Sequence, residues 1–448
     1  MGTGSSRSLR TGVSLAETGR NALKRTNFRW VVCFLIALMS WIIFMDRTNI
    51  SIAAPAIIKE FHLSKTQMGV VFSAFAWAYA LGGVPGGWLG DRFGPRKMLT
   101  LMVLFWSVMT MATAHAMGFA SLLVIRFVFG LGESGAWPTA TRGMQYWYPK
   151  SERGFVNGAT HGAALFATSV VPLLGVALMN AFGWRNVFHI FGLFGIAWSV
   201  AWYFIYRDRP ENHSRVNAAE LAYIRDTGNQ GSTPVVSGTK DKGTVPWGRL
   251  LTSPNLWYLA VSYIAFNYTT YFFYYWMPIY LMERHHVSFK SMGILASMPL
   301  FMGAVGSLTG GMLTDAIYKR TRNLKWSRRI VCIAAMLGAA AFMIPSGIVA
   351  SSYAVVLCLS AAIFCLALVL APAWAVAMDI AGGHTGSVSG VMNMVGQGGG
   401  SLSPIIFGAL TQRGHWIAPF YITSGVLLAA ALMWAFLINP ERSVLDRG

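Results

Sequence analysis

The chain has 448 residues, of which 55% are hydrophobic and 11% are charged, and its mean hydropathy is +0.50. Soluble domains carry about 25% charged residues, so this composition excludes an ordinary soluble protein and favours the bilayer as solvent. The four cysteines lie in apolar stretches without metal-ligand spacing or a disulfide framework, which argues against a metalloprotein or a disulfide-stapled domain.

About twelve apolar segments are long enough to cross a bilayer as helices, and they are too continuous for the alternating strands of a membrane β-barrel. We predict an all-α membrane protein with twelve transmembrane helices in two six-helix bundles related by a pseudo-two-fold repeat. The predicted parts are a disordered cytoplasmic tail at 1–28, an N-terminal bundle at 29–206, a cytoplasmic inter-bundle loop at 207–253, a C-terminal bundle at 254–440 and a cytoplasmic tail at 441–448.

The first predicted helix carries two adjacent charges, Asp46 and Arg47. From Trp30 to Ile58 the only other ionisable side chain is Cys33. A charge at the bilayer centre costs about 2.5–3.5 kcal/mol on insertion scales, so an acid and a base together indicate a site for protons, ions or charged solutes. The alternative is a fixed pair that neutralises itself and only locks the fold.

The loop after the second predicted helix reads GGWLGDRFGPRK, from Gly86 to Lys97. It closely resembles the signature loop of the major facilitator superfamily, which is specific for that superfamily and silent on substrate. The resemblance implies a cytoplasmic charge network that latches one conformation, with a degenerate copy in the second half. The implied latch residues are Gly87, Asp91, Arg92, Arg96, Lys97 and Asp315.

The fourth predicted helix carries Arg126 and Glu133, which are two helical turns apart and about 10 Å along one face. We expect both side chains to face a central cavity, and we count Arg126 among the candidate substrate-binding residues. Desolvation there would favour the protonated carboxyl and a nearby arginine the ionised one, so the site could load and release a proton. A second self-neutralising pair is again the alternative.

The neutral candidates for substrate contact are amides, aromatic side chains and one histidine. Amides can both donate to and accept from hydroxyl groups, and aromatic faces pack against sugar C–H surfaces. Most of the aromatic run from Tyr268 to Trp276 is expected to be core or lipid belt. His161 is either a titratable contact or a helix–helix hydrogen-bond partner. The candidates are Tyr79, His161, Asn267, Tyr271, Tyr274, Trp374, Asn393 and Gln397.

The interval from 207 to 254 is polar and rich in Gly, Ser, Thr and Pro, which predicts a linker with a short surface helix at Ala218–Asp226. An internal repeat supports a division there. HLSKTQMG at His62 matches HVSFKSMG at His286 in four of eight positions, and GGWLGD matches GGMLTD in four of six, both at an offset of 224 residues. Parallel repeats with a substrate site between them are a known transporter design.

The net charge of +19 follows the membrane topology. If the N-terminus lies inside, about 27 of the 35 Lys and Arg residues fall in inside segments and about 6 in outside loops. This is the positive-inside pattern, and it favours anionic-lipid contact over nucleic-acid binding. We predict a multi-pass protein of the cytoplasmic membrane with both termini in the cytoplasm.

Four segments carry a narrower resemblance. They are MDRTNISIA from Met45, RFVFGLGESGAWP from Arg126, DRPENHSRVNAAELAYI from Asp208 and SGVMNMVGQGGGSLSP from Ser389. They resemble the anion:cation symporter family, which includes bacterial carriers of galactonate, hexuronates, glucarate and tartrate, with relatives that carry sialic acid, glutamate and phosphate. The chain is most similar to the galactonate and hexuronate carriers.

This resemblance implies roles for individual residues. Asp46 and Glu133 would couple transport to protons, and Arg47 would meet the substrate carboxylate. Tyr79, Trp374 and Asn393 align with further binding positions. Two departures leave the substrate open: Phe44 replaces a tyrosine of the galactonate carriers, and the region of His161 lacks their substrate-contacting glutamine.

We therefore predict a proton-coupled symporter that imports a small organic anion, a sugar acid such as an aldonate or hexuronate, by alternating access. It would need no cofactor beyond the co-transported proton and would act as a monomer in the bilayer. Sodium coupling, exchange of another carboxylate, multidrug export and a non-transporting sensor stay open as alternatives. An enzyme is not expected, because the sequence has no nucleophile–base arrangement, metal spacing or phosphate loop.

Overall fold

The computed structural model describes residues 25–226, 247–381 and 385–444, except for a few side chains within its helices. This part of the chain is helical and contains no β-strand. The predicted tail at 1–28 lies mostly outside the described residues, as do the middle of the inter-bundle loop and residues 445–448.

Twelve long helical segments run back and forth in the described ranges, and we number them spans 1 to 12 in chain order. The first six are Arg29–Phe61, Lys65–Phe93, Pro95–Thr113, Phe119–Trp147, 150–182 and 184–205. The second six are 254–285, Phe289–Thr321, Leu324–Ile348, Ser352–Asp379, 385–412 and Ala418–Leu437. Short helices between the halves occupy Pro210–Asn212, Ala218–Asp226 and Trp247–Thr252.

Several spans are interrupted. Span 4 consists of Phe119–Glu133 and Ala136–Trp147, and span 11 of Thr385–Gly400 and Leu402–Gln412. Span 7 has a π-helical turn at Phe272–Trp276 between Pro254–Tyr271 and Met277–His285. Because a π turn adds a residue to the helical repeat, it rotates the side chains that follow it.

Length and apolarity alone identify seven described helices as able to cross a membrane. One of these, Gly158–Ile205, contains spans 5 and 6, because the chain turns at Gly183 with φ of 77°. The remaining spans are shorter, interrupted or rich in glycine and polar residues. The predicted twelve-span, two-bundle fold is confirmed.

The internal repeat is visible in the backbone. Span 1 ends at His62 with φ of 52°, and span 7 ends at His286 with φ of 54°. Two residues further on, the side chains of Ser64 and Ser288 cap spans 2 and 8 by accepting hydrogen bonds from Gln67 and Ser291 amides. Left-handed residues other than glycine are uncommon, so this shared turn at the same offset supports the predicted repeat.

The two halves also pair their helices in the same way. In the N-terminal half, span 1 packs on the segment that forms spans 5 and 6, span 2 on span 4, and span 3 on span 6. In the C-terminal half, span 7 packs on spans 11 and 12, span 8 on span 10, and span 9 on span 12. Adding six to each span number converts one set of pairs into the other.

The halves meet at the end of the molecule that carries the turns at His62 and His286, which we call the outer end. A Cβ on Gly69 of span 2 would lie 2.2 Å from the Pro404 carbonyl oxygen of span 11. A Cβ on Gly293 of span 8 would lie 3.1 Å from the Pro172 carbonyl oxygen of span 5. Glycine therefore allows the closest backbone approach between the halves at two repeat-related positions.

Polar contacts reinforce this outer closure. The Lys65 ammonium pairs with the Glu283 carboxylate of span 7, and the Lys65 amide donates to Oε1 of Gln412 over 2.7 Å. The Ser73 hydroxyl donates to the Ser401 carbonyl over 2.6 Å. The outer end is therefore closed, and the site between the halves is approached from the opposite, inner end.

The predicted helix Ala218–Asp226 is present, but it is not simply a surface helix, because Glu220 is completely buried. Its carboxylate accepts hydrogen bonds from the Thr26 hydroxyl at 2.6 Å, the Phe28 amide at 3.0 Å and the Arg29 amide at 3.1 Å. Arg29 also pairs with Glu152 at the start of span 5. The loop after span 6 thus fastens the inner ends of spans 1 and 5 together.

Candidate substrate and ion-coupling site

The four predicted intramembrane charges come together inside the N-terminal half. Asp46 and Arg47 lie in the middle of span 1, and Arg126 and Glu133 lie on the first helix of span 4. Asp46, Arg126 and Glu133 are each at most 2% exposed. Two acids and two bases are therefore held away from water, where charge is costly unless it is paired or neutralised.

The ion pair that forms joins the two spans. Nε of Arg47 donates to Oε1 of Glu133, and Nη2 lies within ion-pair distance of the same oxygen. The alternative that the sequence left open was two self-neutralising pairs of neighbours, Asp46 with Arg47 and Arg126 with Glu133, and these are not the pairs that form. The structure links span 1 to span 4 and leaves Asp46 and Arg126 as the second acid and base.

Asp46 and Arg126 are under-satisfied. Among the described residues, neither Asp46 carboxylate oxygen has a hydrogen-bond partner, and the same holds for Nε and Nη2 of Arg126. Oε2 of Glu133 and the Asn49 side-chain amide are also unpartnered and buried. An unmade buried hydrogen bond costs about 1–3 kcal/mol, and more for charged groups, so this cluster has unused capacity to bind protons or ligand atoms.

Aromatic rings hold both arginines in place. The Arg47 guanidinium carbon lies 4.6 Å from the ring centre of Tyr79, 5.1 Å from that of Phe75 and 5.2 Å from that of Phe44. The Arg126 guanidinium carbon lies 5.1 Å from the same Phe75 ring. Because each cation–π contact within about 6 Å is attractive, Phe75 bridges the two cations that the sequence marks for anion binding.

Phe75 is the site residue that sequence reasoning missed. It precedes the predicted Tyr79 by one helical turn and therefore shares its face of span 2, so i, i+4 spacing was a usable signal. Trp106 and Thr110 of span 3 lie close to Asp46, and Tyr275 lies close to Arg126. Their relevance depends on how helices are rotated, which the sequence does not display.

In the C-terminal half, the strongest neutral contact joins two predicted residues. The Tyr271 hydroxyl of span 7 donates to Oε1 of Gln397 in span 11. Tyr274, one turn further, packs edge-on against Phe44 with ring centres 6.4 Å apart, so it reaches the surroundings of Arg47 in the other half. These two tyrosines bring the neutral half towards the charged one.

The rest of the aromatic run is core, as predicted, but it does not form a lipid belt. Phe272, Phe273, Tyr275 and Trp276 are buried. Tyr275 stacks on Phe72 of span 2 with ring centres 4.8 Å apart. Some of these rings contact span 11 and others contact the N-terminal half, because the π turn rotates the side chains that follow it.

Two predicted residues serve packing or support in this conformation. Nδ2 of Asn267 donates to the Tyr263 carbonyl at 3.1 Å, and the side chain packs against Gly396 and Gly400 of span 11. Trp374 is half-exposed, and its indole N–H donates to the Tyr263 hydroxyl at 3.1 Å. The Asn267 side chain is therefore packed between spans 7 and 11, whereas part of the Trp374 ring stays exposed.

His161 and Asn393 are accessible. His161 of span 5 is exposed and lies against Trp137 of span 4, with ring centres 4.8 Å apart. Asn393 of span 11 is half-buried and stands one turn before Gln397. Both can meet a solute that enters from the inner end.

The predicted latch is described only in part, because the side chains of Asp91 and Asp315 lie outside the described residues. The Arg96 amide donates to Asp208 at 2.7 Å, and its Nε donates to the Tyr203 carbonyl at 2.9 Å. Arg92 lies over Trp88, with 5.3 Å between its guanidinium carbon and the ring centre. A Cβ on Gly87 would lie 3.5 Å from Pro138, and Lys97 is exposed.

No cluster of three or more potential metal ligands occurs among the described residues. The site therefore consists of buried charges, aromatic rings and a few amides and hydroxyls between two six-helix bundles. Such an arrangement can recognise an anion, because arginine stays charged and its fork fits carboxylate and sulfonate oxygens.

The fold and the site define a membrane transporter, and comparison with known proteins identifies its family. The model of the Major Facilitator Superfamily matches residues 36–404, so the chain belongs to this superfamily and is a transporter rather than an enzyme.

Relatives match over almost the whole chain. A probable sulfoacetate transporter of Cupriavidus necator is 37% identical, with 94% of this chain and 96% of the relative covered. A probable galactarate/D-glucarate transporter of Bacillus subtilis is 33% identical, with 94% of each covered. The D-galactonate transporter of Escherichia coli is 30% identical, with 95% of this chain and 99% of the relative covered.

Solved structures support the fold alone. A bacterial homolog of the human lysosomal transporter Spinster, in an inward-facing and unoccupied conformation, aligns with a TM-score of 0.72 and 20% identity. The alignment covers 91% of this chain and 95% of that chain.

Proposed function

We propose that the protein imports a small organic anion of the sugar-acid class together with protons. The observation that carries this proposal is the buried pair of Arg47 and Glu133, which sits beside unpartnered Asp46 and Arg126. A substrate carboxylate and the Glu133 carboxylate would compete for the same guanidinium. Protonation of Glu133 would free Arg47, so proton binding and anion binding would favour each other.

The transport cycle follows from this competition. With the outer end open, protons bind Asp46 and Glu133, and the anion binds Arg47. Hydroxyl groups of the substrate contact Tyr79 and Tyr271, with Asn393 and Gln397 on the opposite bundle. The halves then close at the outer end, as in the described conformation, and open at the inner end. Loss of protons inside restores the Arg47–Glu133 pair and expels the anion.

The proposal includes an orientation. The inner end, with the Glu220 contacts and both terminal segments, would face the cytoplasm, because the inside segments hold most of the Lys and Arg residues. The bundles would be bounded as predicted, at 29–206 and 254–440. The unit of transport would be the monomer, since the site is built from one chain.

The substrate class is tested by uptake into proteoliposomes. Labelled aldonates, hexuronates, aldarates and sulfoacetate are supplied in turn, with a pH gradient and a sodium gradient applied separately. We expect accumulation of a sugar acid that is driven by external acid and unaffected by sodium. Accumulation driven only by sodium would overturn the proton assignment and leave the site intact.

The coupling residues are tested by two isosteric changes. Glu133→Gln mimics a permanently protonated carboxyl, so it should abolish uphill uptake and preserve exchange of labelled for unlabelled substrate. Asp46→Asn should likewise abolish pH-driven accumulation. Glu60→Gln, which removes an exposed carboxylate at the outer end and outside the site, serves as a control for loss of charge alone. Persistence of pH-driven accumulation in the double variant would refute the coupling assignment.

A second candidate substrate is a short anion with two acidic groups, such as sulfoacetate. It is favoured by the two arginines that flank Phe75, and by Phe44, which offers no hydroxyl to a polyol. The relative with 37% identity carries this substrate in its name. Competition between sulfoacetate and a hexuronate for uptake distinguishes the two candidates.

A further inference from the structure

A cavity of about 610 Å³ lies at the inner end of the C-terminal half, between spans 7, 9 and 12. It is far from the charge cluster in spans 1 and 4, and transport as proposed does not use it. Among the described residues, four cations line it, namely Arg249, Lys325, Arg329 and Arg442, and no acidic side chain does.

The cavity is built by specific hydrogen bonds. Nδ2 of Asn255, at the start of span 7, donates to the carbonyls of Asn439 and Arg442 at 2.8 and 2.9 Å. Arg329 donates from Nε to the Ile438 carbonyl at 2.8 Å and from Nη1 to the Ala435 carbonyl at 3.1 Å. These contacts fix the segment after span 12 against spans 7 and 9, so the place of Arg442 beside Lys325 is set by the fold.

Three of the cations are free to bind an anion. Arg329 donates to the carbonyls, and the Glu441 carboxylate interacts electrostatically with Arg329. The acid of span 10, Asp379, pairs with Arg328. Among the described residues, Arg249, Lys325 and Arg442 have no ion-pair partner. Three like charges around one cavity repel each other, which an anion would relieve.

The surroundings of the cavity indicate the source of that anion. Phe436 and Leu437, in the π turn that ends span 12, also line the cavity, and Phe436 is 76% exposed. Trp257 and Trp326 are exposed near the inner ends of spans 7 and 9, and Trp247 is exposed at the start of the short helix before span 7. Exposed tryptophans are typical of the membrane–water interface, so the cavity lies at headgroup depth, with apolar surface on one side and cations on the other.

We propose that this cavity is a binding site for an anionic phospholipid, with the headgroup phosphate held by Arg249, Lys325 and Arg442. The first carbons of an acyl chain would lie along Phe436 and Leu437. Basic pockets between helices at the inner face are suited to such headgroups, whereas a free phosphate would gain nothing from the aromatic side of the cavity.

Native mass spectrometry of the full-length protein tests the site. The protein is taken from nanodiscs of phosphatidylcholine that contain phosphatidylglycerol or cardiolipin. The test variant is Arg249→Gln/Lys325→Gln/Arg442→Gln, and the matched control is Arg215→Gln/Lys319→Gln/Arg320→Gln, which removes three exposed charges outside the cavity. We expect retention of anionic lipid to fall roughly 10-fold or more in the test variant only, since each basic residue near the surface contributes a few-fold.

Two further experiments distinguish lipid binding from other effects of the substitutions. Arg249→Lys/Arg442→Lys keeps the charges and should retain lipid, and single substitutions replace the triple variant if it fails to fold. Inorganic phosphate at millimolar concentration is added to protein in phosphatidylcholine alone. Equal lipid retention in the test and control variants would overturn the proposal. So would stabilisation by inorganic phosphate, measured as Tm, that equals the effect of anionic lipid.

Discussion

The two halves of this transporter share a backbone plan and differ in chemistry. Both turn through a left-handed histidine after their first span, and both pair their helices in the same order. The N-terminal half holds two arginines and two acids within its helices, of which Asp46, Arg126 and Glu133 are buried and Arg47 is half-buried. The C-terminal half faces them with Tyr271, Gln397 and other neutral groups.

The difference teaches how a symmetric scaffold can support an asymmetric task. Closing and opening need equivalent surfaces on both halves, and Gly69 and Gly293 supply them at matching positions. Coupling to a proton needs interacting charges at fixed distances, which is simplest within one rigid half. The neutral half can then recognise the substrate without altering the charge balance.

The inner ends of the two halves also differ in how their positive charges are neutralised. In the N-terminal half, Arg29 is neutralised by Glu152 and Glu220. In the C-terminal half, no acid of the described ranges lines the cavity between spans 7, 9 and 12 together with its cations. The first end is stabilised internally, and the second is left for a ligand from outside the chain.

The largest expected effect follows from removing the charge of the N-terminal half that we propose to bind the substrate anion. Arg47→Gln should lower uptake by about 100-fold or more, because truncating one partner of a buried charge pair costs roughly 2–5 kcal/mol. Arg47→Lys keeps the charge and loses the fork, so it should retain more uptake. Initial rates of uptake into proteoliposomes measure this effect. Near-normal uptake by Arg47→Gln would show that transport does not depend on the charge difference between the two halves.

The next effect tests the symmetry of the closure. Gly69→Val should prevent the outer end from closing, because its first side-chain carbon would meet the Pro404 carbonyl oxygen at 2.2 Å. We expect a loss of uptake of about 10-fold or more, since a strain of a few kcal/mol shifts the conformational equilibrium by that factor. Gly293→Ala, where the gap is 3.1 Å, is the milder control.

Labelling distinguishes a blocked closure from misfolding. Ser401→Cys is introduced after the four native cysteines are replaced. Gly69→Val should increase its reaction with a membrane-impermeant maleimide from outside. Unchanged labelling together with lost uptake would count against a closure defect.

A smaller effect is expected in the neutral half. Gln397→Ala should raise KM about 10-fold, because one hydrogen-bond partner of the Tyr271 hydroxyl and of the substrate is lost, at about 1–3 kcal/mol. Tyr271→Phe should act similarly and non-additively with it. The proton-to-substrate ratio should stay unchanged in both, and a changed ratio would show that coupling is not confined to the N-terminal half.

Stability at the inner end should depend on pH through Glu220. Burial alone would raise the pKa of this carboxyl, but hydrogen bonds from the Thr26 hydroxyl and the Arg29 and Phe28 amides outweigh it and lower the pKa. A lowered folded-state pKa means that the stabilisation is complete above the unfolded value, about 4.3. It is lost as pH falls through the folded-state value.

Glu220→Gln should therefore unfold more easily than wild type by about 1–3 kcal/mol at neutral pH, because the charge-assisted bonds weaken. The difference in Tm should shrink below about pH 4. Thermal unfolding at several pH values measures it, with exposed Glu211→Gln as the control. A difference that does not vary with pH would show that Glu220 is not ionised in the folded protein.

The smallest effect concerns the ion pair of Lys65 and Glu283, which is partly exposed at the outer end. Exposed ion pairs contribute about 0–1 kcal/mol to the stability of a conformation and are screened by salt. Lys65→Gln should change uptake by less than about 5-fold, and the change should diminish at high ionic strength. A larger, salt-independent loss would assign Lys65 a role beyond closure.

The sequence by itself determined the class of protein and singled out four charged residues that the structure brings together. Apolar segments, low charge content and the half-chain repeat together predict twelve spans in two bundles without tertiary information, although length and apolarity alone identify only seven of the described helices. A buried charge is costly wherever its helix points, so Asp46, Arg47, Arg126 and Glu133 stand out from the apolar background. The repeat at an offset of 224 residues is equally a property of the sequence.

Only the tertiary structure decided which of these residues meet. Pairing of Arg47 with Glu133, the position of Phe75 between two arginines and the burial of Glu220 under span 1 depend on how helices rotate and cross. These quantities arise from packing summed over whole helix faces, and no local pattern encodes them. The closed outer end is likewise a relation between two halves, which each half alone cannot specify.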